Sequence, residues 1–269
     1  MVNTIIRLFK KYSWFKRLNA KVTYELLGKY FRSKDWQFMN YGYYPNDGEM
    51  PPQFNPETAP QFYSTAMYHL LANKTEIEGK YILEVGSGRG GGGKHISQHF
   101  NPLQYVGIDL SQNAVNFCNE IHSLPNLKFI VGSAEAIPLE DQSMDVVLNV
   151  ESSHAYGSVP KFFNEVKRVL KPSGHFLMVD FRNSPQTLEI LKKQLSESNM
   201  TIIEEENISQ HVLKAIEAED HVKRNHIEKM IPKRAQKLFS EFAGVVGSPF
   251  YNSLKSGQRT YWRFHLRNF

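Results

Sequence analysis

Three observations on this 269-residue sequence predict an α/β fold with a largely parallel sheet. Short apolar runs alternate with helical periodicity between residues 81 and 181. The first of these runs ends in a cluster of glycines. A proline–glycine stop signal, Lys171-Pro172-Ser173-Gly174, separates the last helix of the series from its last strand. Strands alternating with helices imply right-handed βαβ crossovers, and hence a parallel sheet covered on both faces.

Apolar strands are expected at 81–85, 104–108, 127–131, 145–150 and 175–181. Helices are expected between them at 91–100, 111–122 and 159–171. In the last of these Phe162, Phe163, Val166, Val169 and Leu170 form one apolar stripe. Residues 57–73 and 187–198 also have helical spacing, and 200–208 begins as a strand. A long charged helical stretch follows at 209–243, and 259–267 closes the chain as a strand. No linker divides the sequence. Residues 1–75 are read as a basic arm and aromatic cap on a domain spanning 76–269, which carries a helical insertion at 209–258.

Hydrophobic residues make up 41% and charged residues 22%, ordinary values for a chain that buries a core. Cys118 is the single cysteine, so an intramolecular disulfide is excluded and a cytoplasmic, reducing compartment is expected. No apolar run reaches the length of a membrane span, and no signal-peptide pattern opens the chain. The net charge of +5 resides in residues 1–34, where nine lysines and arginines face Glu25 alone. An interfacial helix making peripheral membrane contact is one reading of this arm. A helix packed on the core with a solvated basic face is the commoner outcome. Nucleic-acid binding is disfavoured, because no recognition motif accompanies the charge. Residues 36–56 form a loop with six aromatic residues, including Tyr41 and Tyr43, which suits a lid over a ligand as well as simple packing.

Gly86-Ser87-Gly88-Arg89-Gly90-Gly91 satisfies G-x-G-x-x-G after a strand and before a helix, a context that indicates a nucleotide-type cofactor. Asp109 ends the next strand, where an acidic residue meets ribose hydroxyls. To this point NAD and S-adenosylmethionine fit equally. Glu84, two residues before the first glycine, favours a cofactor with a cationic amino group over a pyrophosphate. The third strand ends in Gly132-Ser133-Ala134-Glu135, a small residue beside an acidic one, which suits an adenine amino group.

With these motifs on the page, LEVGSGRGGG, VGIDLS, VGSAEAIPLEDQSMDVVLNVESSHAY and FFNEVKRVLKPSGHFLMVDFR resemble the successive motifs of class I S-adenosylmethionine-dependent methyltransferases. More narrowly, the FMNYGY loop, the glycine run, VESSHAY, QHVLKAI and FAGVVGS resemble the phthiotriolone and phenolphthiotriolone dimycocerosate methyltransferases. The resemblance implies a Rossmann-like three-layer sandwich, its seven-stranded sheet mostly parallel with an antiparallel last strand, beneath a helical and aromatic cap. It implies S-adenosylmethionine as methyl donor and S-adenosylhomocysteine as product. Glu84 with the Gly86 and Gly88 backbone would hold the methionine end, and Asp109 the ribose. Leu110 and Ala134 would flank adenine, and Glu135 would lie near its amino group. Asn149 would sit beneath the sulfonium, and Tyr41 and Tyr43 match lid tyrosines whose ring faces suit a cation.

His154 follows the fourth strand and is expected to overhang the transferred methyl group, where related O-methyltransferases place a basic histidine. Asp180 ends the fifth strand and suits a role as partner of that imidazole. The expected activity is O-methylation of a hydroxyl on a small, largely apolar, lipid-like molecule, with His154 as general base. The alternatives are carboxyl methylation of a fatty acid and a non-catalytic, membrane-associated protein that binds S-adenosylmethionine. The remaining histidines show no metal-ligand spacing, so no metal is expected.

Overall fold

The computed structural model describes residues 36–57, 59 and 61–269. The basic arm at 1–34, with its two readings, lies outside the described residues. Helix α1 spans Phe62–Ala72 and leads into strand β1, Tyr81–Val85. Helix α2 (Gly91–His99), β2 (Gln104–Asp109), α3 (Gln112–Ile121) and β3 (Leu127–Val131) follow. Next come β4 (Met144–Val150), α4 (Val159–Val169), β5 (Leu170–Arg182), α5 (Pro185–Ser196) and β6 (Thr201–Asn207). Helices α6 (Ser209–Met230), α7 (Lys233–Phe242) and α8 (Pro249–Lys255) precede β7 (Thr260–Arg267).

The seven strands lie in the order β3-β2-β1-β4-β5-β7-β6. Strands β1 to β5 pair in parallel, and β7 runs antiparallel between β5 and β6. The chain winds outward from β1 in one direction and from β4 in the other. A crevice therefore opens at the carboxyl ends of β1 and β4, the switch point where α/β sheets bind ligands.

The period-two alternation of the strands explains the three layers. Ile82, Val146, Leu148, Leu177 and Val179 face one core with Met67, Leu71, Ile96 and Phe117. Leu83, Val85, Val147, Phe176 and Met178 face the other with Phe162, Val166, Leu191 and Leu195. Serine caps start four helices. Ser111, Ser158, Ser184 and Ser248 each accept a backbone N–H from the first turn of α3, α4, α5 and α8.

Helix α1 begins at Phe62 instead of 57 and β5 at Leu170 instead of 175, and two further boundaries differ from the sequence expectation for physical reasons. The 209–243 stretch is not one helix. Ile231 is extended and Pro232 opens a new segment, because proline lacks the N–H and disfavours helix in the residue before it. Helix α4 ends at Val169, two residues early, because Leu170 already pairs with Met144 as the first residue of β5. No helix among the described residues is long and apolar enough to cross a membrane.

One close contact locks α1 onto α2. A Cβ on Gly92 would stand 1.9 Å from the Tyr68 ring, so only glycine admits that ring. Gly92→Ala forces Tyr68 aside, an overpacking cost of about 1–3 kcal/mol. The expected result is a melting temperature lowered by several degrees in a chain of this size. Circular dichroism melts check it, and an unchanged midpoint would show that the helices shift freely.

Candidate active site

The crevice is a cavity floored by the turn after β1, walled by the ends of β2 to β5, and roofed by Gln37–Tyr41 and Phe242. Gly86 takes φ +82°, and a Cβ there would lie 2.5 Å from the Ser152 hydroxyl. The carboxylate of Asp109 shapes the same turn. One oxygen accepts the Gly88 N–H at 2.9 Å and the other accepts the Ser111 N–H at 2.9 Å. Cys118 lies behind the loop, its thiol donating to the Gly88 carbonyl at 3.4 Å.

Helix α2 begins under the loop, but its first N–H is engaged. The Gly91 N–H donates to the Gln37 carbonyl at 3.0 Å, and that carbonyl rests where a side chain on Gly91 would be. A dinucleotide needs free N–H groups at this helix start for its pyrophosphate. The lid blocks that mode, whereas a cofactor without phosphates loses nothing. The buried Ser87 hydroxyl and Asn149 Oδ1 have no hydrogen-bond partner among the described residues, so polar capacity remains around the turn.

Tyr41, Gly86, Gly88, Asp109, Leu110, Ser133, Ala134, Glu135 and His154 all line the cavity. Glu135 also accepts the Ser158 N–H at 3.1 Å, joining the β3 end to the start of α4. Tyr41 donates its hydroxyl to the Phe242 carbonyl at 2.9 Å and stacks on Phe250 at 3.9 Å. Three expected cofactor residues do not reach the cavity. Tyr43 turns away, donating to Glu49 at 3.0 Å and stacking on His211. Tyr41, two residues away, would share its side in an extended chain, but Gly42 between them takes φ +89° and breaks the alternation.

Glu84 lies beneath the loop and is fully buried. It shares the face of Ile82, so it points down into the core under α1, where Tyr68 and Tyr105 donate to it at 2.7 and 2.9 Å. Burial raises its carboxyl to about 7, against the two phenol hydrogen bonds. Tyr68 also lines the cavity. Asn149 is likewise buried, its amide donating to the Val85 carbonyl at 2.9 Å and the Ser152 hydroxyl at 2.8 Å.

At the other end of the cavity, His154 Nδ1 lies 2.8 Å from Asp180 Oδ1. Asp180 is buried and also receives the Ser153 hydroxyl, the His154 backbone N–H and the Arg182 guanidinium. Burial alone would raise its carboxyl. The electrostatic influence of Arg182 and of the His154 ring, with these hydrogen bonds, prevails and holds it well below the usual carboxylate range. Asp180 stands behind His154 and does not line the cavity itself. Phe181 packs on the imidazole at 4.2 Å.

Glu151 lines the same cavity, and sequence reasoning assigned it no role. Its φ of +47° is a strained value for a side chain with a Cβ. Both carboxylate oxygens face the Tyr41 N–H, at 3.1 and 3.2 Å, so Glu151 latches the lid. Burial, with Asp180 nearby, raises it to about 8. The only sequence signal was an acidic residue immediately after an apolar strand.

A carboxyl raised from 4.5 to about 8 on folding contributes stability that is complete below the unfolded value and is lost as pH rises through the folded one. Glu151→Gln removes this dependence. Its melting temperature relative to wild type is therefore expected to rise from about pH 5 to 8, and a pH-independent difference would contradict the burial argument.

Residues 77–242 match the family model described as a methyltransferase domain. The chain is 32% identical over 252 residues to a phthiotriol/phenolphthiotriol dimycocerosates methyltransferase of Mycobacterium leprae, covering 93% of this chain and 91% of that one. It is 32% identical to a fatty-acid O-methyltransferase of Mycolicibacterium smegmatis, over 86% of this chain and 85% of that one. Among solved structures, the [4+2]-cyclase SpnF superposes with a TM-score of 0.71 at 18% identity, covering 93% and 94% of the two chains. A geranyl diphosphate methyltransferase in complex with S-adenosylmethionine superposes with a TM-score of 0.64 at 16% identity, covering 87% and 100%. These two likenesses show the fold. The family match and the relatives' identity establish the rest: the chain belongs to the S-adenosylmethionine-dependent methyltransferases, within the group that includes the phthiotriol/phenolphthiotriol dimycocerosates methyltransferases.

Proposed function

We propose that the protein transfers a methyl group to a hydroxyl of a lipid-like acceptor, with His154 as general base and Asp180 as its positioning residue. The observation that carries this is the 2.8 Å contact between His154 Nδ1 and Asp180, with the imidazole in the cavity wall. An ionised carboxylate only accepts hydrogen bonds, so Nδ1 is the protonated nitrogen, and in the neutral ring this leaves the Nε2 lone pair for the acceptor. Phe181 and the Asp180 contact fix the ring plane. A base so oriented takes the acceptor's proton as its oxygen becomes positive.

S-adenosylmethionine supplies an electrophilic methyl group on a sulfonium. In this reading the Gly86–Gly88 turn and Asp109 would hold its amino-acid and ribose parts, and Leu110, Ser133, Ala134 and Glu135 would line the adenine end. Glu84 acts through Tyr68, and the Tyr41 lid excludes water. Alignment of the acceptor oxygen contributes on the order of several kcal/mol. The names of the two relatives, one acting on phthiotriols and one on fatty acids, support an apolar acceptor.

The second reading is carboxyl methylation, favoured by the fatty-acid relative. A carboxylate is already ionised and needs no base. His154→Gln is therefore expected to lower kcat on a long-chain alcohol by about 10²–10⁴-fold, with S-adenosylmethionine affinity unchanged. Assays with labelled cofactor, on alcohol and fatty-acid acceptors in parallel, check this. Near-wild-type kcat on the alcohol would sink the assignment of His154 as base. Methylation of the fatty acid alone, by wild type and variant alike, would establish the carboxyl reading.

A further inference from the structure

Helix α7 stands apart from the two main cores. None of its residues is buried. Ala235 and Phe239 pack on a small separate cluster of Ile227, Ile231 and Val245. Beside that inner stripe, one helical position round, Leu238 and Phe242 form an apolar row open to solvent, 67% and 37% exposed. Arg234, Lys237 and Lys233 follow on the same exposed side, and no ion pair engages these three among the described residues. Glu241 is the acidic side chain on this face.

An exposed apolar row bordered by unpaired cations is the pattern of a helix lying in a membrane interface. Its apolar edge enters the acyl boundary while the long basic side chains reach toward anionic headgroups. The position of α7 gives the pattern a purpose. Phe242 lines the cavity, and its carbonyl accepts the Tyr41 hydroxyl of the lid. The exposed face of α7 and the cavity wall therefore meet at one residue.

We propose that α7 docks the protein on an anionic lipid bilayer, with the cavity mouth at the membrane surface. The basic row supplies the charge complementarity, and Leu238 supplies apolar insertion. A long-chain acceptor then reaches the cavity from the bilayer without crossing water. The docking surface is independent of which oxygen is methylated, so failure of one reading leaves the other standing.

The test is sedimentation of the full chain with phosphatidylcholine vesicles, with and without phosphatidylglycerol. Wild type is expected to sediment with the anionic vesicles and to be released by salt. Lys233→Ala with Lys237→Ala is expected to weaken binding by roughly ten- to thirtyfold, the effect of two lysines near an anionic surface. Leu238→Glu is expected to weaken it comparably, while its S-adenosylmethionine affinity and melting temperature match wild type and so report an intact fold. Three results would overturn the proposal: wild type that ignores the vesicles, equal binding to neutral and anionic vesicles, or α7 variants that bind like wild type. The last would assign the membrane contact to another segment, the basic arm included. Loss of self-association, with vesicle binding unchanged, would identify a second copy of the chain as the partner and equally overturn the bilayer.

Discussion

A buried carboxylate without a cation is the constraint on which the site depends. Glu84 lies at the end of β1, fully enclosed, with the Tyr68 and Tyr105 phenols as its hydrogen-bond donors. Such a group is costly to bury unless its lone pairs are met. Meeting them requires Tyr68 to enter between α1 and α2, and this requires a residue without a side chain at Gly92. The glycine run thus serves two purposes. Gly86 fits a positive φ and the Ser152 hydroxyl into the turn, while Gly92 lets a phenol reach the core. Tyr68 also lines the cavity, so the buried charge is one side chain away from whatever binds above it.

Much of the fold was legible in the sequence because its signals are local. Each parallel strand was a short apolar run, and each strand end carried a glycine or an acidic residue. The residues lining the cavity were legible in part. Asp109, Glu135 and His154 are at strand ends, and the sheet brings strand ends together without further information. Side-chain direction was harder to read. Tyr43 and Tyr41 look equivalent in the sequence, but lid packing sends one to Glu49 and the other to the cavity. Glu84 was recognised as important, but its alternation with Val85 places it under the turn rather than in it. Glu151 was missed because its significance comes from a strained backbone and a lid contact 110 residues away in sequence. The break at Pro232 was visible as a residue type, yet charge periodicity masked it.

Two neighbouring carboxylates at one end of the cavity use charge in opposite ways. Asp180 is surrounded by an imidazole, a guanidinium and hydroxyl and amide donors, and it remains ionised. Glu151, beside it in the wall, meets one backbone N–H and rises to about 8. One carboxylate is a fixed acceptor that orients a ring. The other changes state within the range in which enzymes work. A fold shared with a cyclase does not determine this chemistry. The difference lies in which donors reach each carboxylate.

Cys118 provides a way to observe the glycine turn in motion. Its thiol is buried against the Gly88 carbonyl, and burial raises it far from its reactive form. A thiol reagent can reach it only when the structure around it opens, and the turn is one wall of that enclosure. The rate of alkylation therefore reports local opening around the turn. A ligand resting on that turn should slow the reaction in proportion to its occupancy. The single cysteine of the chain is thereby a built-in clock for cofactor exchange, readable without any substituted residue.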